Sequence, residues 1–227
     1  SSVSANTTAG FSIVSYTGYG SLSTVGHGLG ATPGMLIIKN RDTTNGWEVY
    51  HKSLGNTKYM QLHSSGTGGT SATRWNNTSP TSTLFTVNTE NGVNKSGSNL
   101  VAYCFAEKKG YSKFGLYDGN GNADGPFIYM GFKPAMVIYK RANDGTNNWS
   151  IFDNKRDPYN EIDAQLNPNL ANAEGTSTRG DFLSNGWKVR TTSGSVNNSG
   201  SNYIYMAFAE NPLVANVGND GVPATAR

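Results

Sequence analysis

A single cysteine, Cys104, occurs in 227 residues, so no intrachain disulfide staples this chain and its stability must come from packing or association. Charge is also scarce. Charged residues make up 15%, against roughly 25% in an ordinary soluble domain, which argues against a disordered chain or a helical solenoid. No apolar run approaches the length of a membrane span, and Ser1-Ser2-Val3-Ser4 has no signal-peptide character. Such a start reads as a cut or linker end. The net charge of +3 is too small to mark a nucleic-acid binder. Lys108, Lys109 and Lys113 form the one local basic cluster and are expected in a solvated connection.

In place of charge the chain carries Gly, Ser, Thr and Asn, the residues of turns and solvated strand faces. The 28 glycines and 8 prolines are scattered, which implies frequent tight turns between short strands.

The strongest signal is an internal duplication. Pro33-Gly34-Met35-Leu36-Ile37-Ile38-Lys39 recurs as Pro134-Ala135-Met136-Val137-Ile138-Tyr139-Lys140, and Tyr16-Thr17-Gly18-Tyr19-Gly20 as Tyr117-Asp118-Gly119-Asn120-Gly121. Trp47-Glu48-Val49-Tyr50 matches Trp149-Ser150-Ile151-Phe152. Val93-Asn94-Lys95-Ser96-Gly97-Ser98-Asn99 matches Val196-Asn197-Asn198-Ser199-Gly200-Ser201-Asn202, and Phe105-Ala106-Glu107 matches Phe208-Ala209-Glu210. Five blocks in one order, at offsets of 101 to 103 residues, establish a tandem repeat.

Each block has strand character. Val101, Tyr103 and Phe105 point one way in an extended chain, and Ala102, Cys104 and Ala106 the other; Ile204, Met206 and Phe208 take the matching face. Trp47 with Val49, and Trp149 with Ile151, share a face by period two, which assigns both tryptophans to the core. Cys104 is expected as a small buried residue. About seven strand candidates per copy imply an all-β fold of two tandem, pseudo-symmetric sandwich or jelly-roll-like units, with almost no helix. The best helical candidate is one turn at residues 160–166. The expected organisation is repeat 1 over 1–112, repeat 2 over 113–211 and a mobile C-terminal tail over 212–227, with the two halves packed closely, as two domains or as one pseudo-symmetric domain.

Candidate sites are few. Arg74-Trp75-Asn76-Asn77-Thr78 is a polar stretch whose tryptophan has no counterpart among the matched blocks. Trp75, Asn76 and Asn77 are therefore the candidate ligand contacts, although a loop tryptophan can equally tuck under its own loop. Asp118, Asn120, Asn122 and Asp124 place oxygen-bearing side chains at alternate positions, as a calcium loop would. The sixth and twelfth positions hold Ala123 and Tyr129 where an EF-type loop needs Gly and Glu, so a solvated Asn/Gly turn is the favoured reading.

Catalysis finds little support. Glu107 and Glu210 are repeat-related and sit at strand ends, which fits a shared structural role better than an acid–base pair. His27, His51 and His63 have neither zinc nor triad spacing. Neither an enzyme nor a cofactor is expected, calcium apart.

Gly10-Phe11-Ser12-Ile13-Val14-Ser15-Tyr16-Thr17-Gly18, Thr24-Val25-Gly26-His27-Gly28-Leu29-Gly30, Val101 to Glu107, Gly110-Tyr111-Ser112-Lys113-Phe114-Gly115 and Tyr205 to Pro212 together resemble a domain of uncharacterised function found in tail-fibre and other virion proteins of tailed bacteriophages. The resemblance spans nearly the whole chain, duplication included, and supplies no catalytic or binding residues. It implies a structural protein on the virion surface, with other virion proteins as partners and, because such domains often accompany concanavalin-like lectin modules, host-surface glycans as ligand. A ligand-free capsid decoration or head fibre is the alternative, and a polysaccharide-degrading enzyme a more distant one. By analogy with symmetric particles the expected assembly is a homotrimer, with no nucleic-acid partner and no membrane insertion.

Overall fold

The computed structural model describes residues 1–210 and, beyond them, only the backbone pairing of two short strands; the expected mobile tail of 212–227 lies outside the described residues. In chain order the first unit contains β1 (Ser2–Asn6), β2 (Phe11–Thr17), β3 (Ser23–Gly26), β4 (Pro33–Asn40), β5 (Trp47–His51), β6 (Lys58–Gln61), β7 (Gly69–Thr70), α1 (Ala72–Trp75), β8 (Leu84–Val87), α2 (Asn91–Asn94) and β9 (Asn99–Ala106). The second contains β10 (Ser112–Asp118), β11 (Phe127–Tyr129), β12 (Pro134–Arg141), β13 (Ser150–Asp153), β14 (Ile162–Gln165), β15 (Gly175–Leu183), β16 (Gly186–Val189), α3 (Gly194–Asn197) and β17 (Asn202–Ala209), followed by the pair β18 (Val214–Ala215) and β19 (Val222–Pro223). The fold is all-β, and its three helices are single four-residue turns.

Both units are built on one plan. The order β2-β9-β4-β5 in the first unit's main sheet is repeated as β10-β17-β12-β13 in the second. The register of β4 on β9 slips between Pro33 and Met35, and that of β12 on β17 slips at the matching Pro134 and Met136. A second sheet, β3-β8 in one unit and β11-β16-β15-β14 in the other, closes over each main sheet. Between the layers lie Val14, Leu36, Ile38, Phe85, Val87 and Leu100 in the first unit, and Val137, Tyr139, Phe182, Trp187, Val189 and Tyr203 in the second. Each unit therefore has a core drawn from its own residues.

The unit boundary falls at Glu107/Lys108, earlier than the 112/113 expected. The reason is local: Ser112 already pairs with Phe208 as the first residue of β10, and Lys108 bridges to Ser112. The helical turn expected at residues 160–166 is instead the strand β14, because Ile162 and Ala164 alternate inward with the period of an extended chain.

On β9 the alternation holds as read, and the small face is the one that meets the core: Ala102, Cys104 and Ala106 are buried. Burial pushes the Cys104 thiol up to about 12. The large face packs outside the core, where Phe105 meets Phe11 at 4.9 Å and Tyr103 stacks on Trp47 at 6.2 Å. Trp149 is buried as expected, whereas Trp47 is only half-buried.

The most closely duplicated feature is a hydrogen-bonded clamp that ties the loop after the first main-sheet strand to the short helix before the last. Tyr16 donates its hydroxyl to the Val93 carbonyl at 2.6 Å, and Tyr117 does the same to Val196 at 3.0 Å. The buried Asn94 accepts from the Tyr19 N–H and donates to the Ser21 carbonyl. Asn197 accepts from the Asn120 N–H and donates to the carbonyls of Asn122 and Thr191. The Tyr-x-Gly-x-Gly and Val-Asn-x-Ser-Gly-Ser-Asn blocks recur because each supplies half of this clamp.

Candidate functional site

Trp75 is not a surface contact. It is 1% exposed, packs edge-on against Tyr50 at 6.0 Å, and donates its indole N–H to the Lys58 carbonyl at 3.0 Å. The turn α1, capped by Ser71, swings Trp75 and Arg74 inward while Ala72 and Thr73 stay on the surface. Asn76 and Asn77 follow with positive φ of 51° and 50°, the left-handed conformation that asparagine tolerates and that ends the helix. Asn76 accepts from the Asn88 side chain, and Asn77 is exposed.

Three of the four calcium candidates have their side chains engaged by other groups of the chain. Asp118 accepts from the Asn202 amide, and the Asn120 side chain bonds both the Asn122 N–H and the Asp124 carbonyl. Asp124 pairs with Lys188 at 2.6 Å, which holds its carboxyl below the usual value. Among the described residues, no three His, Cys, Asp or Glu side chains come together in a metal-holding group. Glu107 and Glu210 take matching structural places, paired with Lys52 and Lys155.

A surface feature not anticipated from sequence lies on β11, at the edge of the second unit's smaller sheet. Its three residues alternate, with Ile128 in the core and Phe127 and Tyr129 facing out at 44% and 61% exposure. The Phe127 ring lies across Gly186 of the neighbouring strand, so no side chain there lifts it off the sheet. The Lys113 ammonium stands 5.5 Å from the Tyr129 ring centre, and Lys188, held by Asp124, pairs across from Phe127. The result is a two-ring aromatic ledge bordered by cations and a carboxylate. In the first unit the edge strand β3 turns Thr24 and Gly26 outward around the buried Val25 and has no such ledge. The signal was present as Phe-Ile-Tyr, an apolar centre flanked by two aromatics of the opposite phase.

A second unanticipated feature is interior. In the first unit Arg74 donates from Nε to Glu48 Oε2 at 2.7 Å, both side chains being almost fully buried. Gln61 donates to the other Glu48 oxygen at 2.9 Å, and the guanidinium lies 3.4 Å from the Tyr59 ring centre. A sequence trace of this trio exists in Gln61-Leu62 and Gly69-Thr70-Ser71-Ala72-Thr73-Arg74, which reappear as Gln165-Leu166 and Gly175-Thr176-Ser177-Thr178-Arg179. The one-residue gap and an offset that has grown to between 104 and 106 hide the match.

A family model described as "Domain of unknown function (DUF7483)" matches residues 1–212. No curated protein and no solved structure matches the chain.

Proposed function

The chain belongs to the DUF7483 family over nearly its whole length, and from that premise we propose that it is a structural module displayed on the surface of a tailed-bacteriophage virion, where it contacts host-surface glycans. The observation that carries the contact role is the ledge of Phe127 and Tyr129. Two solvent-facing rings side by side, with charged groups at their border, suit the apolar face and the hydroxyl rim of a sugar. The virion placement rests on the sequence resemblance. A display role is supported by the way loop asparagines and tyrosines are consumed in two matching clamps, which fix the loops of a chain without disulfides.

A glycan array with the purified chain tests this reading. Binding to surface polysaccharide fragments is expected, and Phe127→Ala with Tyr129→Ala should weaken it about tenfold or more. Both rings are exposed, so the double variant should keep its fold. A uniformly blank array would instead favour a ligand-free capsid decoration or fibre spacer.

A further inference from the structure

The aromatic ledge lies at one side of a solvent-facing surface that continues across the smaller sheet of the second unit. In the order β11-β16-β15-β14, residues directly opposite one another share a face. Ile128, Trp187 and Phe182 form one such row and point into the core. The rows flanking it therefore point outward: Tyr129, Gly186 and Leu183 in one, Phe127, Lys188 and Asp181 in the other. Phe127 lies over Gly186 and Leu183 is half-buried, so the floor beside the ledge is low and partly apolar.

The far side of this surface carries a third exposed ring. β14 meets β15 with Ile162 opposite Gly180, and the residues just before β14 keep to the same edge. There the Asn160 side chain accepts from the Phe182 N–H at 2.9 Å and donates to the Phe182 carbonyl at 3.1 Å. An amide that satisfies both backbone groups of one residue stands in for a strand neighbour. Tyr159, adjacent in the chain, is thereby held at the β14 side of the sheet. At 83% exposure it is the barest large aromatic among the described residues, and within them its ring and hydroxyl have no partner.

The loop that carries Tyr159 is tied down on both sides. Asp153 accepts from the Lys155 and Arg156 N–H groups, and Asp157 from those of Asp163 and Ala164. The corresponding connection in the first unit, 52–57 against 154–161, is shorter and has no aromatic residue. A fixed loop that bares one ring to water is preorganised for contact, since little backbone freedom is left to lose on binding.

Charges on this surface cancel. Lys113, Lys188 and Arg190 stand against Asp124, Asp181 and Glu161, three of each sign. Lys188 holds Asp124, while Arg190 holds Asp181 and lies near Glu161. Such a face does not steer charged ligands, yet its ion pairs keep spare lone pairs and N–H groups for hydroxyls.

We propose that this face binds a neutral oligosaccharide chain laid across the strands, from Phe127 and Tyr129 at one edge to Tyr159 at the other. The proposal rests on the glycan-contact reading and adds to it the length and charge of the ligand and a third stacking residue. Three inter-strand spacings separate β11 from β14, about 14 Å, which is more than one sugar ring covers. A chain of about three or more sugar residues is needed to touch both sides.

The test uses an array on which bacterial surface glycans are printed from single units upward, in neutral and acidic series, and probed with the full chain. Neutral chains of about three or more units should bind, and single units at least about tenfold more weakly. Tyr159→Ala should weaken the long neutral chains about tenfold and leave the shortest binders unchanged. Phe127→Ala with Tyr129→Ala should weaken every length. With the longest neutral chain that binds, the ring resonances of Tyr129 and Tyr159 should shift in NMR with one common Kd. Raising sodium chloride about tenfold should change that Kd by less than about twofold.

Long-chain binding unmoved by Tyr159→Ala, or single units bound as tightly as long chains, would overturn this proposal and leave the ledge standing. A preference for acidic chains that salt abolishes would overturn the neutral class. A blank array, or binding indifferent to the Phe127→Ala, Tyr129→Ala variant, would overturn the ledge reading and this proposal with it.

Discussion

The first unit carries its own counter-ion inside the sandwich and the second does not. One framework thus solves the same local problem in two ways. In the first, Glu48 and Arg74 neutralise each other, Gln61 fixes the carboxylate, and Gly92 leaves room for it. In the second, the volume goes to Tyr139 and Ser195 and the arginine is left with a single amide partner. On the outer surface the asymmetry is matched by the ledge, where Thr24 and Gly26 have given way to Phe127 and Tyr129. The two copies share their framework residues and differ at the Glu48/Ser150 position and on the edge strand of the second sheet.

The largest effect should come from the ion pair. Glu48→Ala leaves the buried Arg74 guanidinium with only the more distant Glu90, 3.7 Å away, and should cost the first unit about 3 kcal/mol. Arg179→Ala removes a charge that has no internal partner and should cost the second unit roughly 1 kcal/mol or less. Native-state hydrogen exchange on the full chain reads the two units separately; equal losses would erase the distinction.

The clamps should respond alike. Asn94→Ala and Asn197→Ala each remove the part-buried hydrogen bonds that a buried side chain makes to loop backbone, and each should destabilise its own unit by about 1–2 kcal/mol in the same exchange experiment. A silent substitution in one unit would mean that the duplication there is of sequence alone.

The smallest effects are those of pH, and they run in the same sense, stability rising with pH, but in different pH windows. All three histidines belong to the first unit. His27 is buried and takes the Leu29 N–H on Nδ1, so it is neutral there, and burial lowers its pKa below the ordinary 6.5. The unfolded chain then takes up a proton before the folded one does. The His27 contribution is therefore complete above pH 6.5 and is lost as pH falls through the lower folded value. Hydrogen exchange corrected for intrinsic rates should show the first unit loosening on acidification, and His27→Gln should reduce that response. In the second unit Lys140 is buried, donates to the Arg141 carbonyl, and has its pKa lowered to about 8 from 10.5. The unfolded chain holds a proton there that the folded chain sheds, so this unit should gain stability as pH rises from about 8 towards 10.5. Lys140→Met should abolish the gain.

Much of this architecture was legible in the sequence, because strands advertise themselves by alternation and a duplication by repetition. Val101 to Ala106 separates into two faces on inspection, and the matched Pro33 and Pro134 blocks proved to be matched central strands. Trp75 was misread since four residues of helix leave no periodic trace, and without the turn at Ala72 the ring appears to sit in a polar loop. The Asp118 to Asp124 stretch looked like a ligand set because its true partners, Asn197, Asn202 and Lys188, are distant in sequence. Arg74 and Arg179 escaped notice because an inserted residue shifted the match, and because nothing local shows that an arginine points inward.

From the sequence alone followed the all-β class, the tandem duplication and the reliance on packing without disulfides, since each depends on residue type and short-range period. Only the tertiary structure decided where the units divide, which tryptophan is core, and that one arginine has a carboxylate while its counterpart has none. Those outcomes depend on which distant strands are brought together, and a buried charge acquires its meaning only from the groups that surround it.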